Sequence, residues 1–182
     1  DLKALSQKIL INKNDIIKIK YFTAEVSGVK DVRAPIRQKT YIRALQKHIP
    51  EIEVYYGHFM THQVKLPKHP LSNPPVFEKV VKTEEKGSDV NLAVHLINDY
   101  WLNCYDCAVI ISNDSDLAEP LKLIRKQNDK VLGVICPERK AHPSRELNKY
   151  VNFTKRIRKG VLGSSQLPDP IPGTTLSKPS SW

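Results

Sequence analysis

Apolar positions along this chain switch repeatedly between a helical and a strand period, and the switching predicts the order of its elements. Residues 1–11 set Leu2, Leu5, Ile9 and Leu10 on one helical face, with Asp1 ahead to accept from the free amides of the first turn. Residues 16–22 (Ile-Ile-Lys-Ile-Lys-Tyr-Phe) alternate with the period of a strand. Helical spacing returns over 33–48 through Ile36, Thr40, Ala44 and Leu45, closed by Pro50, and 52–56 reads as a second strand. Prolines at 67, 70, 74 and 75 then break every period, which predicts a long surface loop from Met60 to Pro75.

The second half continues the alternation. Residues 76–81 form a short apolar strand, and Val90, Ala93, Val94, Ile97 and Trp101 mark one face of a helix over 88–103. The continuous apolar runs 107–111 and 131–135 predict buried strands. Between them lies a helix over 117–127, with Pro120 tolerated in its first turn. A short helix over 143–149 and a last one over 155–165 follow. Pro168, Pro170, Pro172 and Pro179 keep the remainder extended. This order, free of internal repeats, predicts an α/β fold: a three-layer α/β/α sandwich with a mainly parallel sheet. One domain spans 1–165, and 166–182 form a proline-rich tail.

Composition narrows the class. No apolar run approaches the roughly 18 residues of a membrane span, and no signal-peptide pattern opens the chain. Three cysteines are too few for a disulfide framework, so reduced thiols and a cytoplasmic setting are expected. The net charge of +10 is unevenly placed: +7 over residues 1–50, −2 over 51–100, +1 over 101–150 and +4 over 151–182. Basic ends around a more acidic middle suit a polyanionic partner and a place for a cation, although charge alone reads first as a solvated lysine-rich surface.

Two acidic segments are the best candidates for chemistry. Ser112-Asn-Asp-Ser-Asp116 follows the buried strand 107–111 and precedes a helix, at the carboxyl end of a strand, where open sheets bind ligands. One acid there is explained as a helix cap. Two acids with two hydroxyls fit oxygen ligation of a hard divalent cation. Glu84-Glu-Lys-Gly-Ser-Asp89 leads into the next candidate helix, with Asp89 as its cap and Gly87 permitting close backbone approach. Hydrolysis of a phosphodiester around a divalent cation needs several carboxylates together, and these two turns supply them. Cys104-Tyr-Asp-Cys107 has the spacing of a zinc or redox pair, but with only Cys136 in addition the thiols read as small buried apolar groups. His58 and His62 fall on a strand end and loop as surface groups, and His95 reads as a packed histidine of a helix.

The stretches Lys86-Gly-Ser-Asp-Val-Asn-Leu-Ala-Val94 and Ala108-Val-Ile-Ile-Ser-Asn-Asp-Ser-Asp-Leu117 resemble the NYN domains of the PIN-like nuclease superfamily. The tail, with Gln166-Leu-Pro-Asp169, Lys178-Pro179 and Trp182, is similar to that of many bacterial members. The resemblance implies a Rossmannoid α/β/α sandwich with an acidic pocket that binds Mg²⁺ or Mn²⁺ and cleaves RNA as an endoribonuclease. It makes Asp89 and Asp114 metal-site carboxylates, Asp116 a third ligand or a water-orienting base, and Lys86 a phosphate contact. Family members open with a strand ending in an Asp-x-x-Asn type motif. Here the helix 1–11 comes first, so the expectation is that this strand and its acid are missing from the chain.

The bases then acquire a role. Arg33 and Arg37 lie with Lys39, Arg43 and Lys47 on the helix 33–48, and Arg139, Lys140 and Arg145 follow the strand 131–135. Lys155, Arg156, Arg158 and Lys159 form a second run. Contacts of this kind position a nucleic acid by its phosphates without reading sequence. The expected function is a metal-dependent ribonuclease with RNA as partner, no membrane, and a homodimer left open. The alternatives are a non-catalytic RNA-binding module and a small-molecule phosphohydrolase.

Overall fold

Residues 1–10, 14–28, 31–127, 129–137 and 142–180 are described in the computed structural model. Arg139, Lys140 and Trp182 lie outside them. Asp1 accepts from the Ala4 amide at 2.9 Å and starts α1, Leu2–Ile9. The elements β1 (Ile19–Ala24), α2 (Ala34–His48), β2 (Ile52–Pro67), β3 (Phe77–Lys86) and α3 (Ser88–Trp101) follow. β4 (Cys107–Ile111) leads through a 3-10 turn (Ser115–Leu117) into α4 (Ala118–Arg125). Then come β5 (Val131–Cys136), α5 (Arg145–Asn148), β6 (Phe153–Arg156) and α6 (Lys159–Gly163). Among the described residues no helix is long and apolar enough to cross a membrane.

The strands form two three-stranded sheets, ordered β1-β2-β3 and β4-β5-β6. β1 pairs with β2 in parallel, and β4, β5 and β6 are parallel throughout, so the fold is of the α/β class with helices packed on parallel sheets. β3 is the antiparallel exception.

Two sequence expectations are corrected. The region read as a loop from Met60 to Pro75 is largely a long hairpin, paired from His58 with Lys86 to Pro67 with Phe77. Pro67 ends β2, and Pro70, Pro74 and Pro75 occupy the turn, where a missing amide donor costs no ladder bond. The helix expected over 155–165 is split: Phe153–Arg156 is a strand beside β5, and only Lys159–Gly163 is helical. Phe153 decides this, because its ring lies over Gly133; a Cβ there would meet the ring at 2.2 Å.

Three apolar clusters hold the layers together. Leu96 of α3 packs with Ile110, Leu117, Leu121, Leu132 and Leu147. Leu5 and Ile9 pack with Ile135 and Ile157, while Leu2, three residues from Leu5, packs on Leu45, Ile49 and Ile52. α1 therefore touches the cores of both sheets. The tail joins in: Ile171 is buried, and Leu167 packs against the cluster around Leu45.

Leu132 is fully buried in the largest cluster. Leu132→Ala is expected to lower unfolding free energy by about 2–5 kcal/mol in urea denaturation, the range for a deleted core side chain that leaves a cavity. A loss below about 1 kcal/mol would mean that this cluster is loosely packed.

Candidate active site

The acidic turn after β4 is built by its own side chains. The Ser112 hydroxyl accepts from the Asp114 amide at 3.1 Å, and Asp114 Oδ1 accepts from the Asp116 amide at 3.0 Å. Asp114 is thus the cap of the 3-10 turn, but capping engages one oxygen of two. Asp114 and Asp116 are exposed, and Leu117 beneath them is buried, so the core anchors a turn whose acids face outward. Asn113 fixes the turn sideways. Its Nδ2 donates to the His142 carbonyl at 3.1 Å, and its Oδ1 accepts from the Ser144 amide at 2.7 Å.

The second acidic segment divides between strand and helix. Glu84, Glu85 and Lys86 end β3, and Gly87 is the cap of α3, in a left-handed conformation at φ 97° that a side chain would strain. Asp89 lies in the first turn rather than at the cap. There it faces the positive end of the helix dipole. Capping falls instead to Glu85, whose Oε1 accepts from the Ser88 amide at 3.1 Å and the Ser88 hydroxyl at 2.7 Å. Gly57 makes this junction fit: a Cβ on it would sit 2.4 Å from the Lys86 carbonyl and 2.9 Å from the Ser88 amide. Gly57 pairs with Ala24, so the start of α3 lies at the carboxyl end of β1. Asp114 stands beyond the carboxyl end of β4.

The two turns meet electrostatically. The Asp89 carboxyl is pushed above the usual carboxylate range, first by partial burial and then by the negative charges of Asp114, Glu85 and Asp116. Among the described residues no three His, Cys, Asp or Glu side chains are grouped closely enough to hold a metal ion by themselves. The donor set is nonetheless all carboxylate oxygen. A cation such as Mg²⁺ keeps several waters and is commonly bound by one or two carboxylates together with substrate phosphate.

The expected basic contacts are placed differently. Lys86 is exposed but faces Glu84 at 3.5 Å, and Arg37 pairs with Asp31 at 2.5 Å, so both charges are partly spent within the protein. Arg33 is exposed at the cap of α2, and Arg145 is exposed at the start of α5, next to Ser144. Arg139 and Lys140 fall outside the described residues. Cys104 is exposed rather than buried; Cys107 is half-buried, with its thiol pushed up by desolvation, and Cys136 is buried. His62 lies on the hairpin, 4.0 Å from Glu84.

One cluster escaped the sequence reading. Lys20 of β1 pairs with Asp99 at 2.7 Å and lies 3.3 Å from His95 Nδ1, both on α3. The His95 ring packs on Tyr55 with centroids 4.0 Å apart. The Tyr55 hydroxyl donates to Glu53 at 2.7 Å, a bond that, with burial, pushes its pKa up to about 12. The only signal in the sequence was the four-residue spacing of His95 and Asp99 on one helix; their partner Lys20 comes from a distant strand.

A family model described as the NYN domain matches residues 4–155. Over 177 residues the chain is 35% identical to the 6-hydroxy-3-succinoylpyridine 3-monooxygenase HspA of Pseudomonas putida (strain DSM 28022 / S16). That alignment covers 90% of this chain and 57% of the relative, so the chain spans little more than half that protein's length. A solved structure of a protein of unknown function from Vibrio parahaemolyticus RIMD 2210633 matches with a TM-score of 0.52 at 14% identity. It covers 85% of this chain and 78% of that one, a likeness of fold alone.

Asp89 carries a stability consequence. Its pKa is raised in the folded state, so the native chain holds the proton more tightly than the unfolded chain and loses stability as pH rises through the carboxylate range. Asp89→Asn, which cannot ionise, is expected to raise Tm at neutral pH and to lose that advantage at low pH, where the aspartate is neutral in both states. Thermal denaturation across pH measures it, and an unchanged or lowered Tm at neutral pH would contradict the crowding of these acids.

Proposed function

The chain belongs to the NYN domain family, and from that membership we propose that it is a metal-dependent endoribonuclease that hydrolyses RNA phosphodiester bonds with Mg²⁺ or Mn²⁺. The family is one of nucleases, so a hydrolase is the coarse reading. The observation that favours the finer one is the convergence of two acidic turns on Asp89, whose carboxyl is raised by desolvation first and then by the charges of Asp114, Glu85 and Asp116. Like charges gathered at a solvent-open strand end destabilise the apo protein and are relieved by a cation. Carboxylates perturbed by burial and by like charges are more frequent at functional sites than elsewhere.

Asp89 and Asp114 are the residues that would hold the cation, from the start of α3 and the end of β4. When bound, such a cation activates water and neutralises charge developing on the phosphate. Asp116 is assigned to orienting the attacking water. Asp114 is held in place by the Asp116 amide, and Asn113 clamps the turn to the segment after β5, so the carboxylates are set before substrate arrives. Three cysteines outside any disulfide suit a reducing compartment.

The relative named a monooxygenase gives a second reading, oxidation of a hydroxylated pyridine. A small aromatic substrate calls for a concave pocket. Neither of two sizeable cavities, of about 240 and 830 Å³, is lined by Asp89, Asp114 or Asp116. The nuclease reading is preferred because the NYN family model matches residues 4–155. Incubation with 6-hydroxy-3-succinoylpyridine in air with an electron donor decides against it if a hydroxylated product forms.

The direct test is cleavage of a labelled RNA with Mn²⁺ or Mg²⁺. Wild type is expected to cut, a chelator to stop it, and Asp114→Asn to slow it by about a hundredfold or more, as loss of a group that holds or orients a catalytic metal does. Equal rates for wild type and Asp114→Asn would overturn the assignment.

A further inference from the structure

Many lysines and arginines of this protein face carboxylates, and others, Lys39, Arg43, Lys47, Lys65 and Lys79 among them, are in no ion pair among the described residues. Lys3, Lys18, Lys20, Lys68, Lys122 and Lys149 each face a carboxylate within ion-pair distance. Around the carboxyl end of β6 the unpaired bases converge on one concavity. Lys8, Lys155, Arg156, Arg158 and Lys159 line one groove of about 830 Å³, and among the described residues no acidic one lines it. Among the described residues none of the five is in an ion pair. Lys155 donates to the Ile9 carbonyl at 2.6 Å and Lys8 to the Ser164 carbonyl, contacts that fix the amines without neutralising them. Arg156, Arg158 and Lys159 are exposed.

The bases come from α1, β6, the 157–158 connection and α6, so the fold, not one run of sequence, assembles them. Five unpaired cations around one concavity repel each other, a cost that a polyanion removes. The groove also has a fixed relation to the carboxylates. β4, β5 and β6 are parallel, with Ile111 opposite Ile135 and Ile135 opposite Lys155. Lys155 and Arg156 therefore leave the same edge of the sheet as Asp114, two strand spacings away, or roughly 10 Å. Pro143 lines the groove, and Asn113 holds the adjoining Ser144 amide, so one wall is tied to the acidic turn.

We propose that this groove binds the phosphodiester backbone of an RNA strand, beside the nucleotides that reach the carboxylates. This rests on the nuclease reading for its substrate. An anionic membrane surface also attracts cations, but a concave site next to a strand-end carboxylate cluster suits a chain that can bend into it better than a flat bilayer. Contacts confined to phosphates make the binding independent of sequence and strongly dependent on salt.

The test measures binding without cleavage. Fluorescence anisotropy of a labelled single-stranded RNA is followed in EDTA at several salt concentrations for four proteins: wild type, Arg156→Ala/Arg158→Ala, Lys122→Ala/Lys126→Ala as a control with the same charge change on α4, and Asp114→Asn. Circular dichroism melts establish that each is folded. The arginine pair is expected to weaken binding at least fivefold more than the control and to reduce the slope of log affinity against log salt by about 1.4, from about 0.7 per lost phosphate contact. Equal weakening by the two pairs, or none, overturns the groove. Tighter, groove-dependent binding to phosphatidylserine vesicles than to RNA also overturns it. Groove-dependent RNA binding in a protein that never cuts RNA sinks the nuclease reading and leaves the groove standing.

Discussion

α3 must touch two sheets at once, and the rest of the structure depends on how it does so. Its apolar side places Leu96 under β4 and β5 through Ile110 and Leu132. On a neighbouring side, His95 and Asp99 reach Lys20 of β1. The Lys20 and Asp99 side chains are only 16% and 18% exposed, so losing one would strand the other's charge in a poorly solvated place. The helix cannot rotate without breaking that pair or lifting Leu96 from the core. Its beginning is set equally firmly, because Gly57 admits the Lys86 carbonyl and the Ser88 amide where no side chain fits. The position of Asp89 follows from those contacts.

The site that results is costly for the protein without a ligand. Asp89, exposed at the surface, is shifted toward its neutral form by partial desolvation and three acidic neighbours, while β6 and α6 gather unpaired bases roughly two strand spacings away. Other surface charges are matched in part, as in Lys18 with Glu53 and Lys149 with Glu146. Opposite mismatches along one sheet edge are what a metal-dependent enzyme acting on a polyanion requires: acids to hold a cation, bases to hold the chain.

Much of this was legible in sequence where a core imposes a period. The helix starting at Asp1, the strands at 107–111 and 131–135 and the turn Ser112–Asp116 stand where their patterns predict, although in the first strand only Ile110 is buried. The hairpin was not, because its strands lie largely exposed and no buried face imposes alternation; prolines that end and turn it then read as a loop. β6 was hidden by its charges, Lys155 and Arg156, and is a strand because Gly133 leaves room for Phe153. In the site, the acids could be read from sequence but their arrangement could not. Nothing local announces that Glu85 caps α3 while Asp89 does not, or that Lys20 reaches α3.

The central claim is that Asp89 and Asp114 belong to one electrostatic unit completed by a cation. Carboxyl NMR titration of Asp89 tests it most directly, in wild type, in Asp114→Asn, and in wild type with saturating Mg²⁺. The account predicts an Asp89 pKa above the usual carboxylate range in the free protein, lowered by Asp114→Asn and lowered further by Mg²⁺. An Asp89 pKa that neither the substitution nor the ion moves would contradict it.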